Sequence, residues 1–145
     1  MNIAVRYHSK TGNTRKLAKA IGEALNAAPL TTKNVPDEEI DLLFLGASVY
    51  GGAPDGEVMR FIDALDGGKI KKAAIFCTSA TGNSPFESLK ELLEKRGIEV
   101  MDRSFVCRGK FMFFMNMGHP DKRDIQDCVD FACAAVKEAD EPAAI

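Results

Sequence analysis

Ile3-Ala4-Val5-Arg6-Tyr7-His8-Ser9-Lys10-Thr11-Gly12-Asn13-Thr14 is the stretch on which the fold turns. Its apolar first part reads as a short strand, and Leu17, Ile21, Leu25 and Ala28 beyond it recur at helical spacing. A strand therefore gives way directly to a helix through hydroxyls, an amide and a glycine. A helix start presents unpaired N–H groups and a partial positive charge, so it suits an anion, a phosphate above all. Ser9, Thr11 and Thr14 add hydroxyl donors, Asn13 adds an amide, and Gly12 lets the backbone approach a ligand closely. A helix cap needs one such residue. An unbroken polar run from Ser9 to Thr14 goes beyond that and reads as an anion cradle.

The spacing excludes the commoner nucleotide loops. Neither G-x-x-x-x-G-K-[ST] nor G-x-G-x-x-G occurs, so both the magnesium-binding phosphate loop and the dinucleotide fingerprint are missing. A length of 145 residues fits one domain over 1–145, with 140–145 read as a frayed tail. Hydrophobic content of 46% and charged content of 28% are those of a globular chain. A net charge of -2 supplies no broad basic field, which argues against nucleic acid as a partner. No apolar stretch is long enough to span a bilayer, and Asn2 to Tyr7 is too short, and interrupted by Arg6, for a secretory signal. A cytoplasmic monomer is expected. Cys77, Cys107, Cys128 and Cys133 form no C-x-x-C and are read as reduced, mostly buried thiols.

Strands and helices alternate along the rest of the chain. Leu30 to Val35 is a weak strand ended by Pro36, and Asp37 to Ile40 a turn or brief helix. Asp41 to Ala47 and Ala73 to Cys77 are continuous apolar runs of the kind buried on both faces. Helices are expected over Glu57–Leu65, stopped by Gly67-Gly68, and around Phe86, Leu89, Leu92 and Leu93, stopped by Gly97. Glu99 to Cys107 is a fifth strand. A last helix starts near Asp121, with Asp124 as a capping-box partner and Ile125, Cys128, Val129, Ala132 and Val136 as its apolar stripe. This alternation means a parallel sheet covered on both sides. Ligands of such sheets sit outside the carboxyl ends of the strands, where strand order reverses. The loops Ser9–Thr14, Ser48–Asp55, Thr78–Asn83 and Arg108–His119 should then share one rim.

Tyr7 to Thr14 resembles the phosphate loop of the flavodoxin family, a [ST]-x-T-G-N-T run after the first strand. Ala47-Ser48-Val49-Tyr50-Gly51-Gly52 is similar to that family's second loop, Thr78-Ser79-Ala80-Thr81-Gly82-Asn83 takes the third-loop position, and Gly118-His119-Pro120-Asp121 resembles the approach to its last helix. The family is itself a standard illustration of the crevice rule, with FMN at the switch point. The resemblance implies a flavodoxin-like three-layer α/β/α sandwich whose five-stranded parallel sheet runs in the order 2-1-3-4-5. It implies that Ser9, Thr11, Asn13 and Thr14 bind the FMN phosphate with backbone help from Lys10 and Gly12, and that Ser48 closes that pocket. Val49, Tyr50, Gly51, Gly52 and the Thr78, Ser79, Ala80, Thr81, Gly82, Asn83 loop would clasp the ring, Tyr50 by stacking. Gly51 would let a carbonyl rotate toward the ring when it takes up an electron and a proton. The phosphate alone cannot retain the cofactor: its hydrogen bonds give on the order of 10 kcal/mol gross, against about 12 net for nanomolar binding. Ring burial must supply the rest.

Two departures matter. The third loop has no second aromatic, and acids near the ring are sparse, Asp55 and Glu57 being the obvious ones. Phe111-Met112-Phe113-Phe114-Met115-Asn116-Met117 either packs beneath the last helix or covers the ring or a partner surface. His8 is read as structural, His119 as shaping the helix start with Pro120, and no pattern suggests a metal or a catalytic nucleophile. Lys10, Arg15, Lys16 and Lys19 are read as a solvated basic face. The resemblance implies a low-molecular-weight electron carrier between a reductase and acceptor enzymes. The alternative is an FMN-dependent oxidoreductase of quinone or protoporphyrinogen type on the same fold.

Overall fold

The centre of the sheet is Ile40–Tyr50, β3, in which alternate residues leave for opposite faces. Leu43, Leu45 and Ala47 join one core cluster, and Leu42 and Phe44 join the other. This is the period-two pattern of a strand buried on both sides. The computed structural model describes residues 1–50, 53–79, 84–108 and 118–141, and the side chains at 49, 50, 53 and 54 fall outside that description.

β1 (Ile3–Tyr7) and β5 (Ile70–Ser79) flank β3, while β2 (Pro29–Thr31) and β6 (Glu99–Arg108) form the edges. All these pairings are parallel, in the order β2-β1-β3-β5-β6. Counted as parallel strands alone, this is the expected 2-1-3-4-5. β4 (Ala53–Pro54) adds a short antiparallel pairing to the end of β3, which the sequence did not suggest.

α1 (Asn13–Leu25) and α4 (Lys122–Asp140) cover one face, burying Leu17, Ile21, Cys128 and Phe131 with Phe44 and Phe76. Phe44 and Phe131 meet edge to face, centroids 6.0 Å apart. Burying a ring of this size contributes about 1.5–3 kcal/mol relative to exposure. α2 (Gly56–Ala64) and α3 (Phe86–Lys95) cover the other face through Val58, Phe61, Ile62, Leu89 and Leu93. The result is the three-layer sandwich. At the turn after α2, Gly67 lies so close to α3 that an added Cβ would sit 1.6 Å from the Arg96 carbonyl oxygen, while the Arg96 guanidinium donates to Leu65 O at 2.7 Å.

Several boundaries differ from the sequence reading. α1 stops before Ala28, because Asn26 takes a left-handed conformation (φ 55°) and Ala27 N–H closes onto Gly22 O. β2 ends at Thr31 rather than running to Val35: Asn34 returns its backbone N–H to Thr31 O and its amide to Thr31 Oγ1, a local turn that outcompetes the ladder. No helix forms over 37–40. β5 is longer than the apolar run, reaching Ile70 on one side and Thr78 and Ser79 on the other. β6 tolerates Asp102 and Arg103 because its register against β5 shifts between Ala73 and Ile75, and Arg103 turns to Glu138 on α4.

Candidate functional site

Parallel register gathers the polar residues at the carboxyl ends of the strands. Tyr7 of β1 stands opposite Gly46, and Ser48 of β3 stands opposite Thr78 of β5. Thr14, in the first turn of α1, drops onto that pair: its Oγ1 lies 2.7 Å from Ser48 Oγ and 2.9 Å from Thr78 Oγ1. All three residues are buried. Three hydroxyl protons serve two contacts between hydroxyls, so one remains, with the Ala47 carbonyl at a long 3.5 Å from Thr14 Oγ1. The cluster is therefore rich in donors.

Above this floor the first loop turns on Gly12, which precedes α1 at φ 86° and ψ -3°. An added Cβ there would meet nothing within 4 Å, so the glycine answers a backbone requirement and not a steric one. Ser9 Oγ accepts the Gly12 N–H at 3.0 Å, which leaves its own proton to donate. Thr11 Oγ1 accepts from the Asn13 amide at 2.8 Å. α1 carries no acid in its first turn, whereas α2, α3 and α4 carry Glu57, Glu87 and Asp124 there. Arg15 and Lys16 stand in that first turn instead. Cations at the positive end of a helix are unfavourable unless an anion joins them. The arrangement is built for an anion.

Asp55 connects this loop to the second one. Its Oδ1 accepts the Glu57 N–H at 2.8 Å and caps α2, while Lys10 Nζ lies 3.3 Å from Oδ2 and His8 Nε2 lies 3.6 Å from Oδ1. Burial pushes this carboxyl up, but the Glu57 N–H, Lys10 and His8 outweigh it and hold Asp55 below the usual carboxylate range. Sequence spacing gives no sign of this trio, because topology alone brings Asp55 to residues 8 and 10. The other acid singled out, Glu57, pairs with Arg60.

Thiol chemistry finds no support at Cys77, Cys107 or Cys128. Burial raises Cys77 to about 11 against the opposing Ser84 hydrogen bond, and burial with the charge of Asp124 raises Cys107 to about 12. Cys128 is raised as well, by burial first. Cys77 and Cys128 are buried, Cys107 is half-buried and Cys133 is exposed, so the expectation of buried thiols is met in full at two of the four positions.

At the far side of the rim, Asp121 and Asp124 form the expected capping box, and His119 Nδ1 lies 2.6 Å from Asp124 Oδ2. That hydrogen bond raises the His119 imidazole above its ordinary value; burial opposes it, the charges of Asp124 and Asp121 add to it, and Arg108 subtracts. A group raised on folding stabilises fully below its ordinary value, and the contribution is lost as pH climbs through the raised one. The melting-temperature difference between the parent chain and His119→Gln should therefore be largest near pH ~5 and shrink toward alkaline pH. A difference that grows with pH would refute the pairing.

Of the residues singled out from sequence, Ser9, Lys10, Thr11, Gly12, Asn13, Thr14, Ser48, Thr78 and Ser79 come together on this rim. The backbone of Val49 and Tyr50 continues β3 there, but their side chains, with Gly51, Gly52, Ala80, Thr81, Gly82, Asn83 and the segment Phe111–Met117, lie outside the described residues. Among the described residues no helix is long and apolar enough to cross a membrane.

A family model described as a flavodoxin domain matches residues 4–113. No curated protein matches the chain in sequence. Solved structures match along its length. A flavodoxin from the domain Archaea is 21% identical with a TM-score of 0.80, covering 97% of this chain and 100% of that one. Oxidised Flavodoxin 2 from Bacillus cereus is 23% identical with a TM-score of 0.71, covering 95% and 99%. A flavoprotein from Lactobacillus acidophilus, solved in complex with FMN, is 18% identical with a TM-score of 0.60, covering 74% and 92%. At these identities the structures establish the fold.

Proposed function

The chain belongs to the flavodoxin domain family, and from the cradle its own residues build we propose that it binds FMN and carries electrons between a reductase and acceptor enzymes. The observation that carries this reading is the stacking of an acid-free helix start, turned by left-handed Gly12, over the buried Thr14–Ser48–Thr78 hydroxyls. Surplus O–H and N–H donors converge there, as a dianionic phosphate requires. The N–H groups opening α1, with Ser9, Thr11 and Asn13, would hold the phosphate. Lys10, already neutralised in part by Asp55, would add longer-range attraction. Tyr50, Gly51, Gly52 and the Thr78–Asn83 loop would bury the ring.

Once bound, FMN supplies electron exchange in single or paired steps; the protein's part is to hold it and exclude water. A carrier role fits the chemistry of the rim. Beside the first loop the described His8, Lys10 and Asp55 are committed to one another and to the α2 cap, and at the far side His119 and Asp124 serve the start of α4.

A flavin-fluorescence titration tests the reading. FMN should bind one to one, and riboflavin, which lacks the phosphate, at least about a hundredfold more weakly, the equivalent of about 3 kcal/mol. Equal affinity for the two would overturn the phosphate cradle. Rapid NAD(P)H oxidation with a quinone and no partner protein would overturn the carrier role.

A further inference from the structure

Asp55 makes more contacts than a helix cap requires. Its Oδ1 accepts the Glu57 N–H at 2.8 Å, and that bond is all the start of α2 asks of it. Its Oδ2 turns to the first loop and meets Lys10 Nζ at 3.3 Å, with the carboxylate side chain only 11% exposed. His8 Nε2 stands 3.6 Å from Oδ1, and the His8 N–H is itself tied to Gly46 O of β3 at 3.2 Å. A cap alone explains neither cation.

The place of Asp55 in the chain gives these contacts a consequence. Val49 pairs with Pro54 and Tyr50 with Ala53, antiparallel, so β3 and β4 are the two arms of a hairpin. Gly51 and Gly52 lie between the arms in the chain, and Asp55 follows the second arm directly, where it passes into α2. The sheet fixes the first arm, since β3 pairs with β5 as far as Val49 opposite Ser79. The second arm is weaker: β4 has two residues, and Pro54 brings no N–H to a ladder. Its outer end is held by Asp55, gripped by Lys10 and His8 on one side and by α2 on the other.

We propose that Asp55 is a positioning residue for the flavin ring: by joining Lys10 and His8 to the foot of the β3–β4 hairpin, it sets where the second loop stands relative to the first. The inference rests on the FMN reading, which puts the phosphate on the first loop and the ring at the second. Charge balance points the same way. A carboxylate beside an anion site opposes the anion, so phosphate affinity gives no reason for Asp55 to reach toward the first loop. Holding the ring loop in register with that loop does.

Asp55→Asn separates the tether from the cap, because asparagine caps a helix as well as aspartate but offers Lys10 no charge. Riboflavin probes the ring's site without a phosphate, and inorganic phosphate probes the first loop without a ring. In titrations of the flavin-free chain, Asp55→Asn should weaken riboflavin about fivefold and leave inorganic phosphate bound at least as tightly as in the parent. Lys10→Gln should weaken riboflavin to a similar degree, the double variant no further than either single one, and Lys10→Arg should keep the parent's affinity. With FMN at saturation, the visible circular dichroism of the ring should shift in Asp55→Asn and Lys10→Gln but not in Lys10→Arg. Unchanged riboflavin affinity and an unshifted spectrum in Asp55→Asn would overturn the proposal. So would losses that add in the double variant, or equal losses for riboflavin and phosphate, which would make Asp55 a general stabiliser of the rim. A parent chain that binds neither FMN nor riboflavin would instead overturn the cofactor reading, and this proposal with it.

Discussion

Gly12→Ala should weaken FMN binding about a hundredfold and lower the stability of the flavin-free chain only modestly. The position needs φ 86°, and nothing lies within 4 Å of where the Cβ would stand. The cost is therefore conformational: a left-handed alanine is disfavoured by about 1–2 kcal/mol. If the loop keeps its shape, that strain is the whole stability effect. If it relaxes, the Gly12 N–H leaves Ser9 Oγ, and the donors opening α1 no longer point at one spot. Losing two charge-assisted hydrogen bonds costs about 3 kcal/mol, which is the hundredfold. Gly12→Asn should recover part of the affinity, since asparagine tolerates this conformation. Both variants are read by fluorescence titration against FMN and by thermal melting. An alanine variant binding FMN within a factor of two of the parent would refute the role given to the glycine.

The first loop of the cradle is legible in the sequence because each of its parts is local. A polar run between an apolar strand and an amphipathic helix needs no distant partner to be recognised. The same holds for the α4 capping box, where Asp121 and Asp124 lie three residues apart and bond reciprocally. What escaped the sequence depends on register. Ser48 and Thr78 become neighbours only because Leu45 pairs with Ile75 in parallel, and Thr14 reaches them only because Tyr7 ends opposite Gly46. The end of β2 is hidden for a different reason. β-branched residues from Leu30 to Val35 favour a strand, yet the amide of Asn34 closes a turn after Thr31, and the strand stops there.

Topology also changes the meaning of the acids. Asp55 and Glu57 counted from sequence suggest a weak negative field over the second loop. In the structure Lys10 and His8 face Asp55 and Arg60 faces Glu57, so much of that field is cancelled locally. A reduced ring carrying negative charge would meet little opposition from these two carboxylates. Electron-transfer potential in this chain should then depend on ring burial more than on nearby acids.

Gly46→Ala joins packing to the site and should destabilise the fold by about 3 kcal/mol, roughly 10 °C in melting temperature. An added Cβ would stand 2.4 Å from Phe76 Cζ, 2.5 Å from Cε2 and 3.0 Å from Thr14 Cγ2. Neither neighbour yields easily. Phe76 is wholly buried among α1 and α4 side chains, and Thr14 is held by Ser48 and Thr78. The strain therefore divides between core and cradle, and FMN affinity should fall together with stability. Gly56→Ala is the control, because a Cβ there meets nothing within 4 Å and should leave both readouts alone. Adding Phe76→Leu to Gly46→Ala frees space at the ring edge, so the double variant should be more stable than the sum of the single effects allows. Denaturant unfolding of the four chains measures that coupling. Strict additivity would place the strain elsewhere, and unchanged FMN binding in the Gly46→Ala chain would mean that Thr14 does not transmit the core's geometry to the loop.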